Sequence, residues 1–270
     1  MRRIVSIVLV VGLVILQISA ADAQTRRRQI NTSGSADKSE PLRWLIDVPT
    51  AGTLPRGSFD AEMRVFNQGG VLLGTDVGLS NRLQLGLSYG AEGIIAQGNP
   101  VWNPRVEFQV KLQVITEDVS LPAVAVGFSS QGFGRWIDSL DRYEIKSRGF
   151  FAVASKGYLG PGGNFYTGVH GGINYSMESD VDNDETANFF FGFDAKLPND
   201  FAILADYDMA LNDDRDTLAL GKGWGYLNVG FRWLFMERMM IEADVKNILM
   251  NREGVKSLGR ELRILYLEYF

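Results

Sequence analysis

The 270-residue chain has no cysteine, so a disulfide framework and a thiolate metal site are both excluded. It has one histidine, His170. A basic excess is missing as well. With 27 Lys and Arg against 32 Asp and Glu the net charge is −5, the wrong sign for a surface that must neutralise phosphates, and a nucleic-acid partner is excluded. Long apolar runs are absent except for one at the start, so a polytopic helical membrane protein is excluded too. Glycine is abundant, with 30 residues, and aromatics make up 11%. Apolar residues at 46% rule out a disordered chain.

The single apolar run spans Ile4–Ile18 behind the positive Met1-Arg2-Arg3, and Ala21-Asp22-Ala23 has the small-residue form of a cleavage site. Residues 1–23 therefore read as a signal peptide, and removing Arg2, Arg3 and Asp22 takes the net charge from −5 to −6. Residues 24–41, with Arg26-Arg27-Arg28 and a Ser/Gly/Asp/Lys stretch, carry too little apolar surface to offset their ordering entropy and read as a flexible tether.

From Ser58 to Phe270 the apolar pattern has period two. Leu83, Leu85, Leu87 and Tyr89 alternate with Gln84, Gly86, Ser88 and Gly90, and Val106, Phe108, Val110, Leu112 and Val114 alternate with Glu107, Gln109, Lys111 and Gln113. Segments near 58–66, 70–79, 82–92, 104–115, 121–130, 144–156, 164–176, 187–197, 201–211, 223–235, 238–248 and 261–270 are each about the length of a tilted membrane-crossing strand. Tight turns (Asn81, Pro198–Asp200, Met236–Arg238) alternate with long links (93–103, 131–143, 178–186, 212–222, 251–260). Only Asn67–Gly69 is short where a long link is expected. This rhythm predicts an all-β fold: a transmembrane antiparallel up-and-down β-barrel of about twelve strands over residues 58–270, in the bacterial cell outer membrane. Phe59, Tyr89, Phe165, Tyr175, Phe201, Trp233, Phe235 and Phe270 lie on the apolar parity near strand ends, as interfacial girdles do.

The opposite parity then faces the lumen. It carries Asp60, Glu62, Arg64, Asp76, Glu107, Lys111, His170, Asp194, Lys196, Asp206, Asp208, Arg232, Glu242, Asp244 and Lys246, with Gly74, Gly78, Gly86, Gly90, Gly168, Gly172, Gly192 and Gly230 on the same face. A tight turn at Glu237 would pair Trp233 with Ile241 and Phe235 with Met239 outside, and Arg232 with Glu242 inside. Mixed charge with glycine describes a narrow wet or ion-paired lumen, not the cationic stripe of an anion channel.

The histidine lacks the neighbours of the barrel enzymes. His170 is followed by Gly171-Gly172, so the His-x-Ser pair of lipid-cleaving barrels is absent, and Gly168 removes the Asp-x-His of barrel proteases. His170 reads as a lumen or packing residue, and the chain as a non-enzyme without catalytic residues, cofactor or metal; an envelope enzyme acting on lipid or surface polymer is the alternative. Asp180, Asp182 and Asp184 alternate like calcium ligands, but Glu185 stands where such a loop needs its glycine, so a solvated acidic loop is expected.

Residues 42–57 stand apart. Prolines at 49 and 55 make a poor interior strand, yet Leu42, Trp44, Leu45, Ile46 and Val48 are too apolar for water. The segment is expected to fold against or into the periplasmic opening as a plug. Its stretch Ile46-Asp47-Val48-Pro49-Thr50-Ala51-Gly52-Thr53-Leu54-Pro55-Arg56-Gly57 resembles the segment that precedes a strand in YjbH-like outer-membrane β-barrels. That resemblance implies an outer-membrane location and a link to exopolysaccharide at the cell surface; it supplies no catalytic residues. The terminal Phe270, after alternating apolar residues, resembles the recognition signal of outer-membrane barrels and implies the barrel assembly machinery as a partner during insertion, besides outer-membrane lipid and lipopolysaccharide. The function expected is a narrow pore, for a small solute or polysaccharide, or a structural or accessory component of the envelope.

Overall fold

A computed structural model describes residues 42–95, 99–160, 166–214, 218–235 and 238–270. The signal peptide, the tether, Phe165 and the residues Met236–Glu237 of the predicted turn lie outside these described residues.

Twelve long strands close a ring. They are β1 (Ser58–Phe66), β2 (Gly70–Ser80), β3 (Leu83–Glu92), β5 (Glu107–Ile115), β6 (Ala123–Ser129), β9 (Gly149–Leu159), β10 (Tyr166–Tyr175), β11 (Asn188–Leu197), β12 (Phe201–Asp208), β13 (Tyr226–Phe235), β14 (Met239–Lys246) and β15 (Gly259–Tyr269). Every neighbouring pair is antiparallel, and β1 pairs with β15, so the sheet has no free edge in the ring. Three short strands sit in two of the long links. One is β4 (Val101–Trp102), paired with β3; the others, β7 (Phe133–Ile137) and β8 (Arg142–Ile145), form a separate hairpin inside the 130–148 link. These were not foreseen, because the link reads as irregular in sequence. The connection at Asn67–Gly69 is one turn of 3-10 helix, with Gln68 at φ 60°.

The pleat sorts the two faces as the alternation requires. Leu87, Phe108, Phe191 and Phe231 are about half exposed on the outside, whereas Glu107, Lys111, Asp206 and Glu242, one parity away, are at most 2% exposed. A water-soluble barrel has the opposite arrangement; an apolar belt around a charged interior is the solution for a barrel in lipid. The protein is a bacterial outer-membrane barrel in contact with membrane lipid. Aromatic contacts thicken this belt, with Phe108, Phe128 and Phe150 in sequence across three strands and Phe201, Trp233 and Phe235 across two. Register in the β13–β14 pair places Trp233 opposite Ile241, Phe235 opposite Met239 and Arg232 opposite Glu242. Near the chain end Glu268 is held by Arg238 and the Tyr266 hydroxyl, each at 2.5 Å.

Candidate functional site

The lumen is filled. Residues 42–57 run into it from the end where β1 starts and β15 finishes, turn back on themselves, and leave beside the β2–β3 turn. The excursion is a narrow antiparallel loop, in which Leu45 N–H donates to Val48 C=O at 2.9 Å and Thr50 N–H to Arg43 C=O at 3.0 Å. At its tip the Asp206 carboxylate accepts three consecutive backbone N–H groups, from Ile46 (3.1 Å), Asp47 (2.7 Å) and Val48 (3.2 Å). The carbonyls of the loop are gripped by cations. Arg263 donates to Leu45 C=O (2.9 Å) and Ile46 C=O (2.5 Å), Arg232 to Trp44 C=O (3.1 Å), Lys111 to Arg43 C=O (2.8 Å), and Arg148 to Asp47 C=O (3.2 Å). On the way out, Gln113 binds Ala51 C=O at 2.9 Å and Gln84 binds Leu54 N–H at 3.1 Å.

Apolar packing supports these polar contacts. Leu45, Ile46, Val48 and Ala51 are fully buried with Ala123, Ala125, Phe151, Val153, Phe190 and Leu204, all on the inner face of the wall. Leu54 packs separately with Leu265 and Leu267. Each fully buried branched side chain contributes about 1.5–3 kcal/mol, enough in sum to offset part of the ordering entropy of the segment. The inward glycines explain how the segment fits. A Cβ at Gly192 would overlap Leu45, one at Gly78 would overlap the Pro55 carbonyl, and one at Gly230 would crowd Ile46. That glycine face is the sequence signal of a filled lumen, more than of a narrow one.

The residues assigned to the lumen by parity divide by the partners they meet. Asp60, Asp76, Lys111, Asp206, Arg232 and Lys246 touch residues 42–57 directly, Asp60 and Asp76 through Arg43 and Lys246 through Asp47 at 2.7 Å. Glu242 supports Arg232 and Arg263 (3.0 Å to the latter), Asp208 holds Arg148, and Asp244 is buried over Gly230. Glu107 instead receives the Tyr143 hydroxyl at 3.1 Å from the β7–β8 hairpin. His170 and Asp194 form a separate group with Ser155. His170 Nε2 lies 2.8 Å from Asp194 Oδ1, and His170 Nδ1 lies 2.8 Å from Ser155 Oγ, which also accepts the Ala51 N–H at 2.8 Å. Ser155, Arg148 and Arg263 were not singled out from the sequence, although all three lie on the charged parity or beside it.

A second closure lies at the opposite end, where the long links are. The β7–β8 hairpin turns inward. Phe133 lies under three cations, with Lys246, Arg148 and Arg64 4.9, 5.7 and 5.9 Å from its ring. Arg142, with no exposed surface, is ion-paired to Asp182 (2.9 Å) and Asp213 (2.7 Å), so it ties three links together. Lys146 adds a contact to Asp182 at 2.8 Å, Arg252 pairs with Glu144, and Glu178 accepts the backbone N–H groups of Tyr143 (3.1 Å) and Ser147 (3.3 Å). Asp182 is thus turned inward, 3% exposed, where a solvated acidic loop was expected. The cause is Arg142 and Lys146, which lie far away in sequence and draw it in. Burial raises the Glu178 carboxyl to about 7, because the hydrogen bonds it accepts only partly offset the loss of water. Burial acts the same way on Asp182, but Lys146 and Arg142 outweigh it and hold that group below its ordinary value.

Among solved structures the chain is similar to a KdgM porin (10% identity, 77% of this chain and 98% of that one, TM-score 0.45). It is also similar to the NanC porin (11% identity, 78% and 99%, TM-score 0.42) and to the outer-membrane protein Omp33 of Acinetobacter baumannii (9% identity, 79% and 97%, TM-score 0.43). No protein-family model and no curated protein matches the chain.

Proposed function

We propose that the protein is an outer-membrane channel closed by its own residues 42–57, acting as a plug inserted from the periplasmic side, and that it works without catalysis in this role. The observation that carries this reading is the burial of the inner wall: Glu107, Lys111, Asp206, Glu242 and Arg263 are each at most 2% exposed. An open aqueous lumen would leave such side chains hydrated, and desolvating them costs several kcal/mol per ion unless partners replace the water. Here the partners are supplied in large part by a segment that is covalently joined to the barrel at one end only, beyond Gly57. A short connection keeps a displaced plug at high effective concentration near its site, which makes closure reversible.

The charge-laden wall behind the plug suits passage of a polar solute. The likeness of Ile46–Gly57 to the lead-in of YjbH-like barrels supports a role beside surface polysaccharide, with the sugar polymer as cargo or neighbour. Phe270 at the chain end supports handling by the barrel assembly machinery.

The test uses proteoliposomes and the full mature chain. Substituting Leu45→Asp together with Ile46→Asp places two carboxylates in the fully buried apolar cluster and leaves every wall residue intact. Vesicles with the unaltered protein should swell slowly in a small sugar, and those with the double variant quickly. Equal, rapid swelling of both would show that residues 42–57 do not close the lumen.

A further inference from the structure

We infer that Ser155, His170 and Asp194 form a latent acyl-transfer site, masked by the plug, that acts on carboxylic esters with a short apolar acyl group. The inference rests on the plug reading for access and goes beyond it in function. It is carried by the juxtaposition of a hydroxyl, an imidazole and a carboxylate on three neighbouring strands, side by side on the inner face. Ser155 stands opposite His170 in the β9–β10 register, and Asp194 lies diagonally across in β10–β11, opposite Gly168. Gly168 is what allows this approach, because a Cβ there would overlap the Asp194 carboxylate.

The chemistry follows from the distances. With a carboxylate 2.8 Å from Nε2, the imidazole keeps its proton on that nitrogen and presents the Nδ1 lone pair to the Ser155 hydroxyl, also at 2.8 Å. This is the arrangement of nucleophile, base and orienting group, with the two ring nitrogens exchanged relative to the usual serine triad. Ser155 Oγ would bond to the ester carbonyl carbon while His170 Nδ1 takes the serine proton. The ester C–O bond then breaks, and the departing alkoxide leaves as alcohol with that proton. Water, deprotonated by the same nitrogen, releases the carboxylic acid and restores Ser155. Asp194 is a positioning residue throughout.

Two features beyond the trio point to a masked site. Ser155 Oγ is capped by the Ala51 N–H of the plug at 2.8 Å, so the nucleophile is covered by the segment whose departure would free it. Beside it, the wall is apolar where a lumen is ordinarily polar. Phe151 and Val153 precede Ser155 on the same face, and Phe190 and Leu204 complete a strip now occupied by Leu45, Ile46 and Val48. Leu45 lies over Gly192, which stands opposite His170. Once the plug leaves, that strip is a pocket for small branched or short linear acyl groups within reach of the hydroxyl. Ser155 and Asp194 lie in the periplasmic halves of their strands, so substrate would enter from the periplasm.

The experiment is covalent labelling of the full mature chain by an alkyl fluorophosphonate, with the modified peptide identified by mass spectrometry. Serine attack there forms the Oγ–P bond and expels fluoride, His170 taking the proton. The unaltered protein should label slowly; the Leu45→Asp/Ile46→Asp variant should label at Ser155, and should hydrolyse p-nitrophenyl butyrate. Adding His170→Ala should slow labelling by about 10²–10⁴-fold. Adding Asp194→Asn should slow it too, and Asp194→Glu should recover part of the loss, which a merely structural carboxylate would not do. If the double variant misfolds, Val48→Asp displaces the same cluster. Swelling is read on the same vesicles. A barrel that swells rapidly while Ser155 stays unlabelled overturns the nucleophile and leaves the plug standing; labelling that persists unchanged in His170→Ala overturns its activation.

Discussion

The two ends of this lumen are closed by different chemistry. The plug, entering from the periplasmic side, is held chiefly by its backbone: Asp206 takes its N–H groups, and Arg263, Arg232 and Lys111 take its carbonyls, with Arg43 and Asp47 adding ion pairs to Asp60, Asp76 and Lys246. At the outer side, loops hold one another by side-chain charge, through Arg142, Lys146, Asp182 and Asp213. Both closures meet in one layer, where Arg148 and Lys246 touch Asp47 of the plug and the ring of Phe133 from the cap. Backbone recognition tolerates changes of plug side chain so long as the apolar anchors and the two ion-paired residues, Arg43 and Asp47, remain. Paired buried charges tolerate almost none, because removing one partner strands the others.

That contrast is sharpest at Arg142. Arg142→Ala leaves Asp182 and Asp213 buried with one cation between them, and should cost about 3–5 kcal/mol of cap stability. Hydrogen exchange and protease sensitivity in 133–145, 176–187 and 209–214 should rise together, with 42–57 still protected. Joint loosening of the plug would show that the two closures are one unit.

Asp206→Ala breaks the other side of the comparison. It leaves three N–H donors without their acceptor, and should weaken the tip of the plug by about 2–3 kcal/mol, or roughly 30- to 150-fold faster exchange at residues 46–48. The cap should be unaffected. Protection unchanged at those amides would mean that the apolar anchors alone seat the plug.

The smallest effect is set by pH and belongs to the cap. Glu178 has its folded value raised to about 7 from an ordinary 4.5. A carboxyl raised on folding favours the protonated form, so its contribution is complete at low pH and falls as pH rises from about 4.5 through about 7. Asp182 has the opposite sign, being lowered from 3.8, and its contribution is lost only in stronger acid, as pH falls through its folded value. Protection in 143–147, taken relative to the intrinsic base-catalysed exchange rate, should therefore fall between pH 5 and 8 by roughly tenfold or more, and Glu178→Gln should flatten that fall.

Much of this architecture was legible beforehand because lipid imposes a strict rule on a barrel wall. Leu85, Leu87 and Phe108 had to alternate with Gln84, Gly86 and Glu107, and the Arg232–Glu242 pair had to lie inside. The β7–β8 hairpin escaped notice because no such rule governs a link outside the membrane. Residues 42–57 were marked by apolar side chains without alternation, but their depth depends on contacts to β12, β14 and β15, far along the chain. Ser155 was missed for a related reason. A partner was sought two residues from His170, whereas strand pairing brings it from fifteen residues away.

Single-channel recording in planar bilayers tests the central claim most directly. The full mature chain should insert and pass almost no current at neutral pH, and the Leu45→Asp/Ile46→Asp variant should give sustained unitary currents under the same voltage. Currents of equal size and duty from both proteins would contradict the account, because they would mean that ions pass freely with residues 42–57 in place.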